Sequence, residues 1–192
     1  MTLIKSISGI RGTIGGKYGS NLTPIDAVNF GCAYGQWILN RNPNKKPTVV
    51  IGRDARISGK MIQSFVQNSL ISLGVNVIDL DLSTTPTVEL MVKEYGADGG
   101  IIITASHNPT EWNALKLLDE NGEFLNSSEG EKIVKLSESK NFIFSNVHDL
   151  GKITLSNDSM KKHISSVLDL NLVNVEEIKT KKIKVVVDAV NS

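Results

Sequence analysis

The chain has 192 residues, of which 40% are apolar, and its 21 basic and 20 acidic side chains leave a formal net charge of +1. This length suits one large domain, or one domain followed by part of another. The balanced charge predicts neither a nucleic-acid-binding protein nor one attached electrostatically to membranes. No apolar run approaches the ~20 residues of a membrane span, and the first residues lack a signal-peptide pattern, so we expect a soluble, cytoplasmic protein.

Helix and strand signals alternate along most of the chain. Thr23 can cap a helix whose first position suits Pro24, and Ser58 is predicted to cap the next helix. Gly74 and Gly96 are expected to end helices in the left-handed conformation that glycine tolerates. The predicted helices cover residues 24–39, 59–73, 85–95 and 127–140, and the predicted strands cover 47–51, 75–80, 100–104 and 114–118.

This alternation predicts the α/β class of fold. Strands separated by helices indicate βαβ units, with helices covering both faces of the sheet. We therefore expect a three-layer αβα domain with a mostly parallel, mixed sheet. Ligands bind at the carboxyl ends of the strands in such sheets. Two polar loops, 52–58 and 104–110, directly follow predicted strands and are candidates for the functional site.

A polar stretch, 141–158, separates this unit from the rest of the chain. Beyond it we predict a helix at 160–170, a short helix at 175–179 and a strand at Lys184–Val187. A strand with no crossover after it has no parallel partner in its own unit. We therefore predict that residues 1–155 form one domain and that residues 156–192 begin a second, similar domain.

A glycine-rich segment, 8–16, contains Arg11. Glycine lets backbone N–H groups approach an oxyanion closely, and an arginine can bind a phosphate through two hydrogen bonds. The spacing does not fit the dinucleotide-binding fingerprint, and we expect no strand to lead into the segment. Taken alone, the pattern is more typical of a flexible surface turn than of a phosphate site.

The loop from Gly52 to Ser58 places Arg53 and Arg56 on either side of Asp54. An arginine–aspartate pair could hold the loop itself, with Ser58 acting only as a helix cap. The same arginines could bind an anion beside a helix N-terminus. The residues leave both interpretations open.

The loop at 104–109 contains Ser106, His107 and Asn108, and Lys116 follows on the next predicted strand. A serine at the tip of a strand-to-loop turn, beside an imidazole, can be a nucleophile or a phosphate carrier. The segment is not the nucleophile elbow of α/β-hydrolases, because the two flanking glycines are absent. The alternative is an Asn-Pro turn in which Ser106 is a capping residue.

Three segments together resemble one known family. Ile-Thr-Ala-Ser-His-Asn-Pro at 103–109, followed by Asn113 and Lys116, resembles the active-site loop of the α-D-phosphohexomutase superfamily. Gly9–Gly12 and the loop 52–58 resemble two further signatures of that family, in the same order. Three ordered motifs in one chain make a coincidental likeness very improbable.

The resemblance extends to the end of the chain. Val186–Asn191 resembles the first strand of the family's second domain. The resemblance therefore implies the first domain and the start of the second of a four-domain protein. The chain departs from the family pattern at Ala114, where glycine is usual, and at Ser8, where an acidic residue is common.

The resemblance implies a phosphohexose mutase. Family members carry a phosphate on the serine that corresponds to Ser106, and they interconvert hexose 1-phosphate and 6-phosphate through a bisphosphate intermediate. Lys116 is then the candidate general acid and base, while Arg11 and His107 hold the phosphoserine or the reacting hydroxyl. Asn108, in the same motif, is a further candidate for phosphate or substrate binding.

The resemblance also implies Mg²⁺, bound by the phosphate on Ser106 and by three aspartates of a D-G-D-G-D loop in the second domain. The chain has no such loop, because Asp79-Leu80-Asp81 lacks the glycines and the third aspartate. Those two aspartates are more typical of polar positions at a strand end. We therefore expect the other metal ligands and the remaining domains beyond Ser192, and we expect the 192 residues to be inactive alone.

A hexose phosphate is the substrate that the resemblance implies. The segment 6–12 slightly favours a phosphoglucosamine mutase over a phosphoglucomutase/phosphomannomutase. Two other functions stay open. One is a serine hydrolase or phosphatase that uses Ser106 with His107, although neighbouring side chains after a strand usually diverge. The other is a non-catalytic module that binds sugar phosphates.

Overall fold

The computed structural model describes residues 1–6 and 9–188. The strands are β1 (Ile4–Ser6), β2 (Gly9–Thr13), β3 (Thr48–Arg53), β4 (Asn76–Leu82), β5 (Gly99–Ile103), β6 (Trp112–Leu118) and β7 (Ile153–Leu155). The helices are α1 (Pro24–Arg41), α2 (Gly59–Ser72), α3 (Thr85–Glu94), α4 (Ser127–Ser139), α5 (Ser159–Leu168) and α6 (Val175–Thr180). Within these described ranges, no helix has both the length and the apolar character needed to cross a membrane.

The strands of the described residues form one sheet in the order β1-β2-β6-β5-β3-β4-β7. β3 pairs in parallel with β4 and β5, and β7 pairs in parallel with β4. The pairs β1/β2, β2/β6 and β5/β6 are antiparallel. It follows that β2, β3, β4, β5 and β7 point in one direction, with β1 and β6 opposed. The predicted mostly parallel, mixed sheet is confirmed.

Alternate residues of the central strands face opposite layers. Val49 and Ile51 of β3 belong to the larger core, which α1, α2 and α4 cover. Val50 of the same strand belongs to a smaller core beneath α3. On β5, Ile101 and Ile102 divide between the two cores in the same way. Buried on both faces, these strands read as continuous apolar runs. The predicted three-layer αβα arrangement is confirmed.

The expectation that no strand enters the glycine-rich segment is wrong. β2 (Gly9–Thr13) pairs along its whole length with β6, with Gly9 opposite Lys116. Gly9 has a φ of +127°, and a Cβ atom at this position would overlap the carbonyl oxygen of Leu115. Only glycine permits this close approach of β2 to β6. Because glycine is uncommon in strands, the glycine-rich segment that includes this contact gave no strand signal in the sequence.

The start of α1 has the predicted chemistry. Thr23 accepts a hydrogen bond from the N–H of Asp26, and the Asp26 carboxylate accepts one from the N–H of Thr23. Pro24 occupies the first turn. Such a capping box satisfies two N–H groups that a helix start leaves unpaired. The predicted α1 start is confirmed.

Two helix ends are confirmed and one cap is wrong. Gly74 and Gly96 follow α2 and α3 with φ values of +88° and +57°. Ser58 precedes α2 but makes no side-chain capping bond, because its own backbone is already helical. Its Oγ instead accepts a hydrogen bond from Nδ2 of the buried Asn113, at 2.9 Å. Ser58 therefore connects α2 to β6.

The polar stretch 141–158 contains a strand that the sequence pattern did not predict. β7 pairs in parallel with β4 and forms one edge of the sheet. Beyond it, α5 packs against α3, where His163 Nδ1 lies 2.8 Å from Thr87 Oγ1. The predicted division between residues 1–155 and 156–192 stays a prediction.

The predicted strand at Lys184–Val187 is wrong. Residues 183–188 have no regular secondary structure and do not join the sheet. Strand formation depends on packing against neighbouring strands, so a run of β-branched residues does not suffice. The rest of the resemblance to a second domain, at 189–191, lies outside the described residues.

Tyr34 offers a test of the larger core. Its buried hydroxyl donates to the carbonyl oxygen of Leu118 at 2.7 Å. Burial also raises the pKa of the phenol well above its usual value. We expect Tyr34→Phe to lower the free energy of unfolding at neutral pH by about 1 kcal/mol, because the carbonyl loses its partner. Urea unfolding measures this change, with the exposed Tyr18→Phe as the control for loss of a hydroxyl.

The difference in free energy of unfolding between the wild type and the Tyr34→Phe protein should shrink at alkaline pH. A phenol whose pKa is raised on folding stabilises the protein below the ordinary tyrosine pKa of about 10, and this contribution is lost as the pH rises further. The wild type therefore loses stability in alkali that the variant does not. A Tyr34→Phe protein as stable as the wild type at neutral pH would contradict the prediction.

Candidate active site

The two polar loops meet at the carboxyl edge of the sheet. The N–H of Asp54, just past β3, donates to the carbonyl oxygen of Ile103 at the end of β5, at 3.1 Å. The hydroxyl of Thr104, just past β5, donates to Oδ2 of Asp54 at 2.6 Å. Because β3 and β5 are parallel neighbours, their carboxyl ends bring the loops into direct contact.

Ser106 lies at the tip of the loop after β5. It is exposed and has a φ of +54°, in the left-handed region. Its N–H donates to Oγ1 of Thr104 at 3.1 Å. A non-glycine residue in this region costs on the order of 1–3 kcal/mol and persists only where its surroundings hold it. The loop therefore presents the Ser106 hydroxyl to solvent at an energetic cost.

His107 and Asn108 make different contacts. His107 is exposed, and its Nδ1 lies 3.5 Å from Oγ of Ser106, at the outer limit of a hydrogen bond. This distance does not favour the serine hydrolase alternative, which needs a close serine–histidine pair. Asn108 donates to the carbonyl oxygen of Ala105 through both its N–H and its Nδ2, at 3.1 and 2.7 Å. Asn108 thus closes the turn that carries Ser106.

Arg56 joins the two loops through main-chain oxygens. Its Nη1 donates to the carbonyl oxygens of Pro109 and Trp112, at 2.7 and 3.1 Å. Its Nη2 donates to those of Ser106 and Asn108, both at 2.7 Å. Four carbonyls of the segment 104–112 therefore converge on one guanidinium group.

Asp54 completes this cluster. Its carboxylate accepts hydrogen bonds from Nε and the N–H of Arg56, at 3.1 Å each, and from the Thr104 hydroxyl. Both charged side chains are only 12% exposed. The contacts support the interpretation in which the arginine–aspartate pair holds the loop. We refer to Arg56, Asp54 and Thr104, with the four carbonyl groups, as the Arg56 cluster.

Arg53 organises a second set of polar contacts beside the first. Its Nε donates to Gln63 and its Nη2 to Asp81, while Nε2 of Gln63 donates to Asp79. Both aspartates of the Asp79-Leu80-Asp81 run are therefore engaged by protein side chains. Sequence reasoning missed Gln63, whose one available signal was a polar residue on the buried face of α2.

Arg11 and Lys116 lie on neighbouring strands and on the same face of the sheet. Arg11 of β2 is opposite Ala114, and Lys116 is opposite Gly9, so the two side chains are diagonal neighbours. The carbonyl oxygen of Ala114 accepts the N–H of Thr104. Arg11, which is exposed, therefore lies in the row of residues that leads to the Ser106 loop.

Lys116 is not in contact with Ser106. It pairs with Ile102, before the end of β5, and its Nζ lies 6.0 Å from the centre of the Phe124 ring. Burial raises the pKa of Glu89, and the positive charge of Lys116 opposes that rise. Lys116 therefore lies on the face of the sheet that carries the smaller core. Of the predicted site residues, Ser106, His107 and Asn108 share one turn, while Arg11 and Lys116 share one face.

A cavity of about 390 Å³ adjoins the two loops, between the carboxyl ends of the strands and the start of α3. Its lining residues are Arg53, Asp54, Ala55, Leu82, Ser83, Thr84, Thr85, Thr104 and Met160. Asp54 and Thr104 line it, whereas Ser106 does not. The cavity is therefore a neighbour of the Arg56 cluster rather than a pocket around the serine.

Residues 3–143 match the family model described as phosphoglucomutase/phosphomannomutase, alpha/beta/alpha domain I. Over 182 residues the chain is 37% identical to a protein of Thermococcus kodakarensis named phosphoglucomutase/phosphomannomutase, covering 94% of this chain and 39% of the relative. Over 186 residues it is 32% identical to a phosphoglucosamine/phosphogalactosamine mutase of Sulfurisphaera tokodaii, covering 96% and 38%. The chain thus spans about two fifths of the length of these curated relatives.

A solved structure has the same fold. It is a putative phosphomannomutase from Thermus thermophilus, which matches with a TM-score of 0.72 and 23% sequence identity. The match covers 90% of this chain and 37% of that chain. At this identity the likeness establishes the fold alone.

The strained backbone of Ser106 can be tested by comparing glycine with alanine. Both substitutions remove the hydroxyl, but only glycine adopts a positive φ without strain. We expect the Ser106→Gly protein to be more stable than the Ser106→Ala protein, with a free energy of unfolding higher by about 1 kcal/mol. Ser165, exposed within α5, is the matched control. There alanine should be the more stable by about 1 kcal/mol, because glycine weakens helices. Equal stabilities at position 106 would show that the serine is unstrained.

Proposed function

This chain belongs to the phosphoglucomutase/phosphomannomutase family, and from that premise we propose that it forms the phosphoserine-bearing part of a phosphohexose mutase. One observation carries the proposal. Ser106 is exposed and held in a left-handed conformation at the carboxyl edge of the sheet. This geometry makes Oγ of Ser106 accessible to the phosphate of a sugar substrate.

The proposed reaction moves one phosphoryl group out to the sugar and another back. First, a hydroxyl oxygen of the hexose monophosphate attacks the phosphorus on Ser106, the bond from phosphorus to Oγ breaks, and the hydroxyl proton passes to a base. Then Oγ attacks the other phosphate of the bisphosphate, and the released sugar oxygen takes up a proton. The net result interconverts hexose 1-phosphate and 6-phosphate.

The predicted site residues take separate roles in this proposal. Arg11 binds the transferred phosphate, because phosphoryl transfer depends chiefly on positioning and charge neutralisation. Lys116 moves the proton, which requires its side chain to extend from Phe124 toward Ser106 when substrate binds. His107 holds the reacting hydroxyl. Asn108 supports phosphate binding through the turn that it closes.

Mg²⁺ would neutralise charge that develops on the phosphate. Among residues 1–6 and 9–188, no three His, Cys, Asp or Glu side chains are grouped to bind a metal. Asp54, a carboxylate beside the Ser106 loop, is already engaged by Arg56 and Thr104. The described residues therefore do not fit a magnesium site of their own, and no step above depends on the metal. The phosphate on Ser106 is the ligand that we propose this chain contributes.

We propose a hexose phosphate as the substrate, with an amino sugar slightly favoured. The basis is the resemblance of segment 6–12 to phosphoglucosamine mutases, together with a relative whose name includes that activity. The test is to measure kcat/KM of the protein expressed from its native gene for glucosamine, glucose and mannose phosphates. A preference for glucose or mannose phosphates would overturn the amino-sugar assignment and leave the mutase proposal intact.

Substitution of Ser106 tests the proposed phosphoryl carrier. In protein expressed from its native gene, mass spectrometry of the peptide containing Ser106 should find one phosphate. Incubation with hexose monophosphate should remove that phosphate, and hexose bisphosphate should restore it. Ser106→Ala should abolish labelling and lower kcat at least about 10³-fold, because no covalent carrier remains.

Ser128, exposed at the start of α4, is the control serine. Ser128→Ala should keep both the phosphate and the turnover. Full activity of the Ser106→Ala protein would contradict the proposal. Tight binding of hexose phosphates by a wild type that neither carries phosphate nor turns over would favour the non-catalytic module instead.

The Lys116→Arg substitution tests whether Lys116 transfers a proton or only supplies positive charge. Arginine keeps the positive charge but stays protonated at all accessible pH values. We expect kcat to fall by at least about 10²-fold, with the phosphate on Ser106 retained. Lys93→Arg, on the exposed side of α3, is the control for the same exchange elsewhere. Wild-type turnover of Lys116→Arg would show that another group moves the proton.

A further inference from the structure

Every N–H bond of the Arg56 guanidinium has an acceptor. Nε donates to Asp54, and the four Nη–H bonds donate to four main-chain carbonyls of the segment 104–112. A guanidinium has five donors, so Arg56 has none left for a ligand. Arg56 therefore differs from Arg11, whose side chain is exposed.

These contacts fix the direction of nearby amide groups. In a planar trans peptide the N–H points opposite to the C=O, and the described chain has no cis peptide bond. The carbonyl oxygens of Ser106 and Pro109 each lie 2.7 Å from the Arg56 guanidinium. The N–H groups of His107 and Thr110, on the other side of those peptide groups, therefore point away from Arg56. Both residues are exposed.

Neither N–H group has a hydrogen-bond partner within the described part of the chain. Main-chain N–H groups are obligatory donors, so these two need water or a ligand. A free main-chain N–H can donate to an anion that lies within its reach. His107 directly follows Ser106, which places its N–H beside any phosphate on Oγ.

Charge explains why amide groups, and not Arg56 itself, would face that phosphate. The Arg56 and Asp54 side chains are paired at 3.1 Å and are almost entirely buried, so their charges largely cancel. The attraction that remains at this edge comes from amide dipoles and from exposed cations such as Arg11. A hydrogen bond from a main-chain N–H to a charged acceptor is about twice as strong as one between neutral groups.

We propose that Arg56 is a positioning residue, which orients the peptide groups of the segment 104–112 so that the N–H group of His107 binds the phosphate on Ser106. The inference rests on the proposed function and assigns a binding site for the phosphoryl group within the same loop. Arg56 acts through the backbone and touches neither substrate nor phosphate.

Arg56→Lys tests the assignment, because lysine keeps the charge but cannot bond four carbonyls at once. The test uses protein expressed from its native gene and phosphorylated with hexose bisphosphate. With divalent metal removed by EDTA, ³¹P NMR of the wild type should give the Ser106 phosphate a second pKa below that of a phosphoserine peptide, because an N–H donor favours the dianion. In Arg56→Lys that pKa should return toward the peptide value. The kcat should fall about 10- to 100-fold, with KM changed by less than about 3-fold.

Arg41→Lys is the matched control. Arg41 pairs with Glu120, which follows the end of β6, and because β6 runs antiparallel to β5 this pair lies at the opposite edge of the sheet from the loop. The exchange should leave kcat and the phosphate titration unchanged. A phosphorylated Arg56→Lys protein with the wild-type titration and kcat would overturn the inference and leave the proposed function standing. A wild type that carries no phosphate on Ser106 would overturn both.

A second variant keeps the test decisive if Arg56→Lys fails to fold. Thr104→Val removes the hydroxyl that links Asp54 to the N–H of Ser106, with almost no change in shape. The phosphate pKa should move in the same direction by a smaller amount, with circular dichroism confirming the fold. A folded Thr104→Val protein with the wild-type phosphate pKa would then overturn the inference.

Discussion

The buried ion pair between Arg56 and Asp54 is the interaction on which the candidate site depends. Taking two charged groups out of water costs several kcal/mol per ion, and the cost is offset only when the remaining donors and acceptors are satisfied. Here each guanidinium donor has an acceptor, and the carboxylate also receives Thr104. Arg56 and Asp54 both lie in the loop after β3, and they bond to the Thr104 hydroxyl and to four carbonyl groups of the segment after β5. The second loop therefore cannot move without leaving hydrogen-bonding groups of the buried pair unsatisfied.

That constraint explains how Ser106 keeps an unfavourable backbone conformation. A left-handed serine would relax if its neighbours were free to turn. The N–H of Ser106 is held by Thr104 and its carbonyl by Arg56, so both sides of the residue are fixed. The stability of the packed sheet therefore sustains a local strain that exposes one hydroxyl group. The same cluster therefore supports the loop and fixes the exposed position of Ser106.

The sequence predicted those features whose physical cause is local. Thr23 and Gly74 mark helix ends because capping depends on a few adjacent residues. Gly9 misled the prediction, since it allows a close approach to β6, whose residues lie more than a hundred positions along the chain. Serine is a common helix cap, but the hydroxyl of Ser58 bonds instead to the side chain of Asn113 on β6, far along the chain. Gln63 matters only because folding brings Arg53 beside it.

The candidate site, too, could be predicted from the sequence only in part. The motif located Ser106, His107 and Arg11, whereas the direction of Lys116 toward Phe124 depends on tertiary packing. Around Arg11 the sheet face is open, with the neighbouring Ile4 40% exposed. In the proposed reaction the bisphosphate turns around, so the same loop must receive two chemically different ends of one sugar. In this proposal the rigid loop holds the phosphate, which is the feature that the two ends share, and the open sheet face beside it admits the sugar.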